Sequence, residues 1–114
     1  MPYTTKLFAE IPGRLDSRTR FFHGDCLELL ADLTPGSVDV VVTSPPYNLG
    51  IRYNTYDDTL SPEDYLRWTD QWAAGVSRVL APGGSLFLNV GARPSDPWTA
   101  LDVAQTVRRH LRLQ

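Results

Sequence analysis

Apolar positions along this chain switch between two periods, and the switches mark its elements. Residues 38–43, Val38-Asp39-Val40-Val41-Val42-Thr43, are a nearly unbroken β-branched run, the pattern of a short strand buried in a parallel sheet. Residues 62–79 instead place Tyr65, Trp68, Trp72, Val76 and Val79 at steps of three and four, which predicts a helix with one apolar stripe packed into a core. Its start is marked by a Ser61 cap, Pro62 in the first turn and the acids Glu63 and Asp64 behind it. Ala81-Pro82-Gly83-Gly84 ends the helix and turns the chain into a strand over 85–90.

The same alternation appears on either side. Residues 19–23 read as a short strand, and Asp25 then stands where it caps a helix over 26–33 that carries Leu27, Leu30 and Leu33 at helical spacing. Thr34-Pro35-Gly36-Ser37 is a tight turn into the central strand. Asp96-Pro97 repeats the cap-then-proline start, and the last helix, over 98–113, turns Leu101, Ala104, Val107 and Leu111 to one side. The order β-α-β-α-β-α predicts an α/β domain of βαβ units, with a mostly parallel sheet and helices on both faces. Residues 1–18, which contain Pro12-Gly13 and show no period, read as an irregular lead-in that covers a sheet edge or a neighbouring domain.

Composition narrows the function. With 114 residues, 42% of them hydrophobic, the chain suits one small domain. It has no apolar run long enough to span a membrane, and its N-terminus lacks the basic-then-apolar layout of a secretory leader, so a cytoplasmic protein is expected. A single cysteine, Cys26, excludes an internal disulfide, and with only His23 and His110 beside it no metal centre is expected. The net charge of -2 argues against a free-standing electrostatic nucleic-acid binder. The basic groups near the ends, Arg14, Arg18 and Arg20, then Arg108, Arg109 and Arg112, read as solvated faces.

The candidate chemistry lies just past the central strand, in Thr43-Ser44-Pro45-Pro46-Tyr47-Asn48. Consecutive prolines fix their own φ and keep Ser44 and Pro45 extended, so the backbone there is stiff. A row of carbonyl acceptors, a serine hydroxyl and an aromatic ring stand at the C-terminal tip of a parallel strand, where open α/β sheets bind ligands. The loop over 48–60 adds Arg52, Tyr53, Asn54, Tyr56, Asp57 and Asp58. Its tyrosines are suited either to stacking on a base or to packing back onto their own domain, and Arg52 to meeting a phosphate.

Taken with His23-Gly24-Asp25-Cys26-Leu27-Glu28-Leu29-Leu30 upstream, the segment from Ser37 to Gly50 resembles the amino-methyltransferases of DNA. These transfer a methyl group from S-adenosylmethionine to the exocyclic N4 of cytosine or N6 of adenine, many of them within restriction-modification systems. The resemblance implies a Rossmann-like methyltransferase sheet and double-stranded DNA as partner, with the target base flipped out. It assigns catalysis to Ser44, Pro45, Pro46 and Tyr47, with the Ser44 hydroxyl and Pro45 carbonyl as acceptors for the amine hydrogens and Tyr47 stacked on the base. Asp25, Cys26 and Thr43 would belong to the cofactor pocket, and Asn48, Arg52, Tyr53 and Tyr56 to DNA binding. Serine at the first motif position leans toward cytosine N4, with adenine N6 the alternative. Direct amine attack needs no covalent thiol, so Cys26 reads as a small buried or cofactor-adjacent residue.

The resemblance covers residues 19–114 and is incomplete. None of the eight glycines forms the glycine-rich turn expected after the first strand of a cofactor half. The chain therefore resembles only the first half of a permuted family member, in which the strands ending at Asp25 and at Ser44 are separated by strands of the other half. A missing C-terminal half or a companion chain is implied, as for a truncated product, a split-enzyme subunit or an excerpt, with a non-catalytic remnant as the rival. Such a piece should show a gap in its sheet, bare apolar faces and unpaired edges.

Overall fold

The structure, a computed structural model, describes Lys6–Leu7 and residues 20–114. The expected lead-in over 1–18 lies outside the described residues apart from Lys6–Leu7. Helix α2 (Pro62–Val79) is the element against which the others pack. Ser61 Oγ accepts the Asp64 backbone N–H at 3.1 Å, so the start read from the sequence is the one observed. Tyr65, Trp72, Ala73, Val76 and Val79 are buried along one face, as the stripe requires, and Trp68 is partly buried beside them. Thr69 lies on the same face, with its hydroxyl donated to the Tyr65 carbonyl at 2.9 Å, whereas the buried Trp72 indole N–H has no partner among the described residues.

Onto this face fold α1 (Cys26–Asp32) through Leu27 and Leu30, and α3 (Trp98–Val107) through Val103 and Val107. Asp25 caps α1, accepting the Leu27 N–H at 2.8 Å. Two readings of α3 change. Pro97 is its N-cap, because the Asp96 N–H is donated to the Arg93 carbonyl in a turn before the helix. The helix stops at Val107, where the Arg109 and His110 N–H groups bond three residues back, to Thr106 and Val107, and tighten the last turn. Its buried face is Val103, Thr106 and Val107, while Leu101 is exposed and so is Ala104. Apolar residues surround this helix on several sides, so their spacing does not choose the face.

Strands β3 (Val38–Thr43) and β4 (Leu80–Leu88) pair in parallel, with Val40 opposite Ser85 and Thr43 opposite Leu88. The pairing starts earlier than the sequence suggests, because Leu80 joins Val38 and the residues after it loop out as a bulge, with Gly83 at φ 80°. Strand β2 (Phe22–His23) pairs instead with β1 (Lys6–Leu7), antiparallel, so β2 and β3 lie in different two-stranded sheets. The α/β class with a parallel sheet is as expected, but the helices cover only one sheet face among the described residues. Val41, Leu86 and Leu88 meet the helices, whereas Val40, Val42 and Phe87 on the other face are 54%, 77% and 61% exposed. No described helix is long and apolar enough to cross a membrane.

Helix α1 has no basic residue in its own last turn, and α2 supplies one. Arg78 Nη2 donates to the carbonyls of Leu30, Ala31 and Leu33 at 2.6, 2.8 and 2.9 Å, answering acceptors that the helix end leaves open. Arg78→Met, which keeps the aliphatic stem and removes the donors, is expected to lower stability by about 1–2 kcal/mol in urea unfolding. Arg78→Lys should restore only part of it, because an ammonium cannot reproduce the guanidinium fork.

Candidate functional site

The site begins where β3 ends. Asn89, just past β4, donates its N–H to the Thr43 carbonyl at 3.0 Å, which extends the parallel pairing to the edge of the proline motif. From α2, buried Tyr65 donates its hydroxyl to the Pro46 carbonyl at 2.6 Å. One carbonyl of the expected acceptor row is therefore engaged, while that of Pro45 has no partner among the described residues. The Tyr47 hydroxyl lies 2.6 Å from Ser44 Oγ and accepts from the Asn89 amide at 3.0 Å. The Tyr47 ring lies against Gly91, where an added Cβ would come within 2.7 Å of Cδ2, so only glycine permits this approach.

The loop after the motif is organised by two side chains. Asn48, at φ 59°, donates its amide to the Leu60 carbonyl at 2.8 Å and accepts the Leu60 N–H at 2.9 Å, closing the loop at its base. Asp58 is 2% exposed and accepts the N–H groups of Asn48, Leu49 and Ile51 at 3.1, 3.0 and 2.8 Å. A buried carboxylate is tolerated here because three donors solvate it. Folded this way, the loop turns Leu49, Ile51 and Tyr53 toward Ser44, Pro45, Pro46 and Tyr47, and together with Asp58 these enclose a pocket of about 260 Å³. An open groove of about 530 Å³ adjoins it, lined by Val42, Thr43, Phe87, Leu88 and Asn89 and sharing Ser44.

The residues singled out from the sequence therefore separate. Ser44, Pro45, Pro46, Tyr47 and Tyr53 come together in the pocket, and Thr43 lies in the groove. Asp25 and Cys26 line neither, and Asp25 is occupied as the cap of α1. Cys26 is exposed, which corrects the expectation of a small buried residue. Desolvation by neighbouring atoms, and then the adjacent Asp25 charge, still hold its thiol above the usual range. Asn48 has its amide engaged in closing the loop rather than pointing to a ligand. Exposed Arg52 makes an isolated antiparallel backbone β-bridge with Asp57. Tyr56 packs inward, with its ring centroid 5.4 Å from Trp68 and 6.0 Å from Tyr53, and its buried hydroxyl has no hydrogen-bond partner among the described residues.

Sequence reasoning missed Asn89, Gly91, the clamp at Asp58 and the Tyr65 hydroxyl. Only Asp58 carried a signal, as an acid closing a loop rich in turn-forming residues. Burial pushes both Tyr65 and Tyr56 up to about 12. For Tyr65 the charges of Tyr56, Asp58 and Tyr47 add to it, and for Tyr56 those of Asp58, Asp57, Tyr53 and Cys26.

Comparison with known proteins matches residues 38–110 to a family model described as DNA methylase. The type II methyltransferase M.MjaVI of Methanocaldococcus jannaschii is 50% identical over 62 residues, which is 54% of this chain and 32% of that protein. M.ScaI of Streptomyces caespitosus, also a type II methyltransferase, is 44% identical over 73 residues, 64% of this chain and 23% of its own. The DNA adenine methyltransferase YhdJ of Escherichia coli strain K12 is 30% identical over 78 residues, 68% of this chain and 26% of that one. The chain thus spans between about a quarter and a third of the length of these curated relatives.

Two outcomes follow from the clamp and the buried hydroxyl. Asp58→Asn sets an amide N–H against backbone donors, so hydrogen exchange at Asn48, Leu49 and Ile51 should quicken by at least about tenfold while the amides of α2 keep their protection. For Tyr65, the folded state holds a proton that the unfolded state loses from its ordinary value of 10.0, so the unfolded chain binds fewer protons between pH 10 and about 12. Stability from this group is fully present below pH 10 and falls as pH rises toward 12. Denaturant unfolding across that range should show the fall, and Tyr65→Phe should make it shallower while costing about 1 kcal/mol at neutral pH.

Proposed function

This chain belongs to the DNA methylase family, and from that premise we propose that it carries the base-binding portion of an enzyme that methylates an exocyclic amine of a base in DNA. The observation that carries the reading is the pocket at the end of β3, which Ser44, Pro45 and Tyr47 line together beside an open groove. On this reading residues 19–114 are one portion of a Rossmann-like methyltransferase domain. An exocyclic amine is a weak nucleophile because its lone pair is delocalised into the ring. Acceptors held toward its hydrogens favour a pyramidal nitrogen and stabilise the positive charge that grows as the methyl group arrives. Ser44 Oγ and the Pro45 carbonyl take that role, and the stiffness of the diproline removes the need to reorganise them. Tyr47 and Tyr53 supply aromatic surface for a base that has left the duplex stack.

The family implies S-adenosylmethionine, and the residues present fit only part of its site. Thr43, Phe87 and Asn89 give the groove hydrogen-bonding and aromatic surface, but among the described residues no carboxylate lines it, and Asp25, the cap of α1, lies outside it. When bound, this cofactor supplies the methyl group as an electrophilic sulfonium. The bare apolar face of Val40, Val42 and Phe87 favours a companion reading, in which further protein completes the domain. Serine in the motif leans toward cytosine N4, while likeness to an adenine methyltransferase keeps adenine N6 as the alternative.

Inactivating the gene in its own cells tests the proposal. Genomic DNA read by single-molecule sequencing should lose N4-methylcytosine, or else N6-methyladenine, at one recognition sequence. A chromosomal Ser44→Ala change should cut methylation there by about a hundredfold in rate. Unchanged modification of both kinds would overturn the reading.

A further inference from the structure

Three side chains are linked by hydrogen bonds where the pocket meets the groove. The Asn89 amide donates to the Tyr47 hydroxyl at 3.0 Å, and the Tyr47 hydroxyl lies 2.6 Å from Ser44 Oγ. The short contact taken alone has no direction, since either oxygen can donate. Asn89 gives it one. A side-chain amide N–H only donates, so the phenol oxygen is an acceptor at that contact, and its single proton is left to find an acceptor of its own. Among the described residues Ser44 Oγ is the acceptor within reach. Protons therefore point from Asn89 to Tyr47 to Ser44. Having received one hydrogen bond, the Ser44 oxygen keeps one lone pair and its own proton, both free for whatever enters the pocket.

We propose that Asn89 is a positioning residue that fixes the polarity of the Ser44 hydroxyl, so that Ser44 offers an acceptor and a donor side by side to a planar ligand edge. The matching edge has an amine N–H next to a ring-nitrogen acceptor. Cytosine presents it at N4 and N3, and adenine at N6 and N1, whereas thymine and guanine carry an N–H at the corresponding ring position and a carbonyl in place of the amine. This inference rests on the function proposed above and deepens it, because it makes the residue that accepts from the amine also the residue that rejects bases lacking it. Gly91 belongs to the same device: its missing side chain lets the Tyr47 ring sit where its hydroxyl meets both Asn89 and Ser44. Without the Asn89 amide the Tyr47 phenol is free to accept from Ser44, which turns the Ser44 proton away from the pocket.

Two measurements test it, and they fail separately. The first uses the purified chain and the tyrosine Fermi doublet in the Raman spectrum, whose intensity ratio separates a phenol that only donates from one that donates and accepts. The difference between wild type and Tyr47→Phe should report Tyr47 as both, and Asn89→Leu should shift the ratio away from that value, because the contact with Ser44 then loses its fixed direction. An unmoved doublet overturns the polarity. Asn89 is exposed, so the substitution should fold, and Asn89→Ala replaces it if it does not. The second measures methyl incorporation into DNA by extracts of the protein's own cells carrying chromosomal variants. Asn89→Leu should slow it by about tenfold, and should slow it no further in a Tyr47→Phe background, since the effect travels through the phenol. An equal loss in both backgrounds overturns the proposal. If wild-type extracts show no methylation that depends on this chain, the proposed function fails, and the Raman result alone decides the polarity.

Discussion

The hydrogen bond from the Tyr65 hydroxyl to the Pro46 carbonyl joins the two halves of this structure. On one side is a helical core whose packing fixes α2, and on the other is a proline motif with no secondary structure of its own. Diproline stiffness alone sets local φ and leaves open where the rigid piece points. A buried ring on α2, packed into the core, has few rotamers, so its hydroxyl is a fixed point, and the carbonyl it holds fixes the peptide that leads into Tyr47. The core thus anchors the motif end of the pocket, and the Asp58-clamped loop forms the rest.

What the sequence made legible follows from how local each cause is. Ser61 and Asp25 as caps, the α2 stripe and the central strand depend on neighbours a few residues away, and each is found where it was read. The face of α3, the start of β4 and the partner of β2 depend on what arrives from far along the chain. Leu101 and Val103 are equally apolar, and only the surface of α2 decides which is covered. The same division runs through the site. Ser44 to Tyr47 is a contiguous motif and announces itself, whereas Asn89 reaches Tyr47 from 42 residues away. Tyr65 was legible as a core ring, but its second role lies in one atom that periodicity does not weigh.

The run Val40-Val41-Val42 illustrates a further limit. Apolar on every side, it calls for cover on both faces of the sheet, yet the described helices give it one. Alternation along β3 shows the split, since Val41 enters the core while Val40 and Val42 stand with Phe87 in solvent. A strand fully apolar by sequence and half bare in the fold fits a chain that spans about a quarter to a third of its relatives' length.

The charge of the pocket argues in the same direction as its shape. A carboxylate beside a base-binding site would repel the phosphates that arrive with the base, and Asp58 lines this one. Three backbone N–H groups surround its oxygens, so the charge is already solvated by the loop it folds. On the proposed function, the groups left for the ligand are the Ser44 hydroxyl, the Tyr47 phenol and the Pro45 carbonyl, all neutral. A neutral acceptor suits an amine that begins uncharged and becomes cationic only as it reacts, because the attraction then grows toward the transition state and does little to the ground state. On the proposed function, the carboxylate shapes the pocket and leaves the chemistry to neutral dipoles.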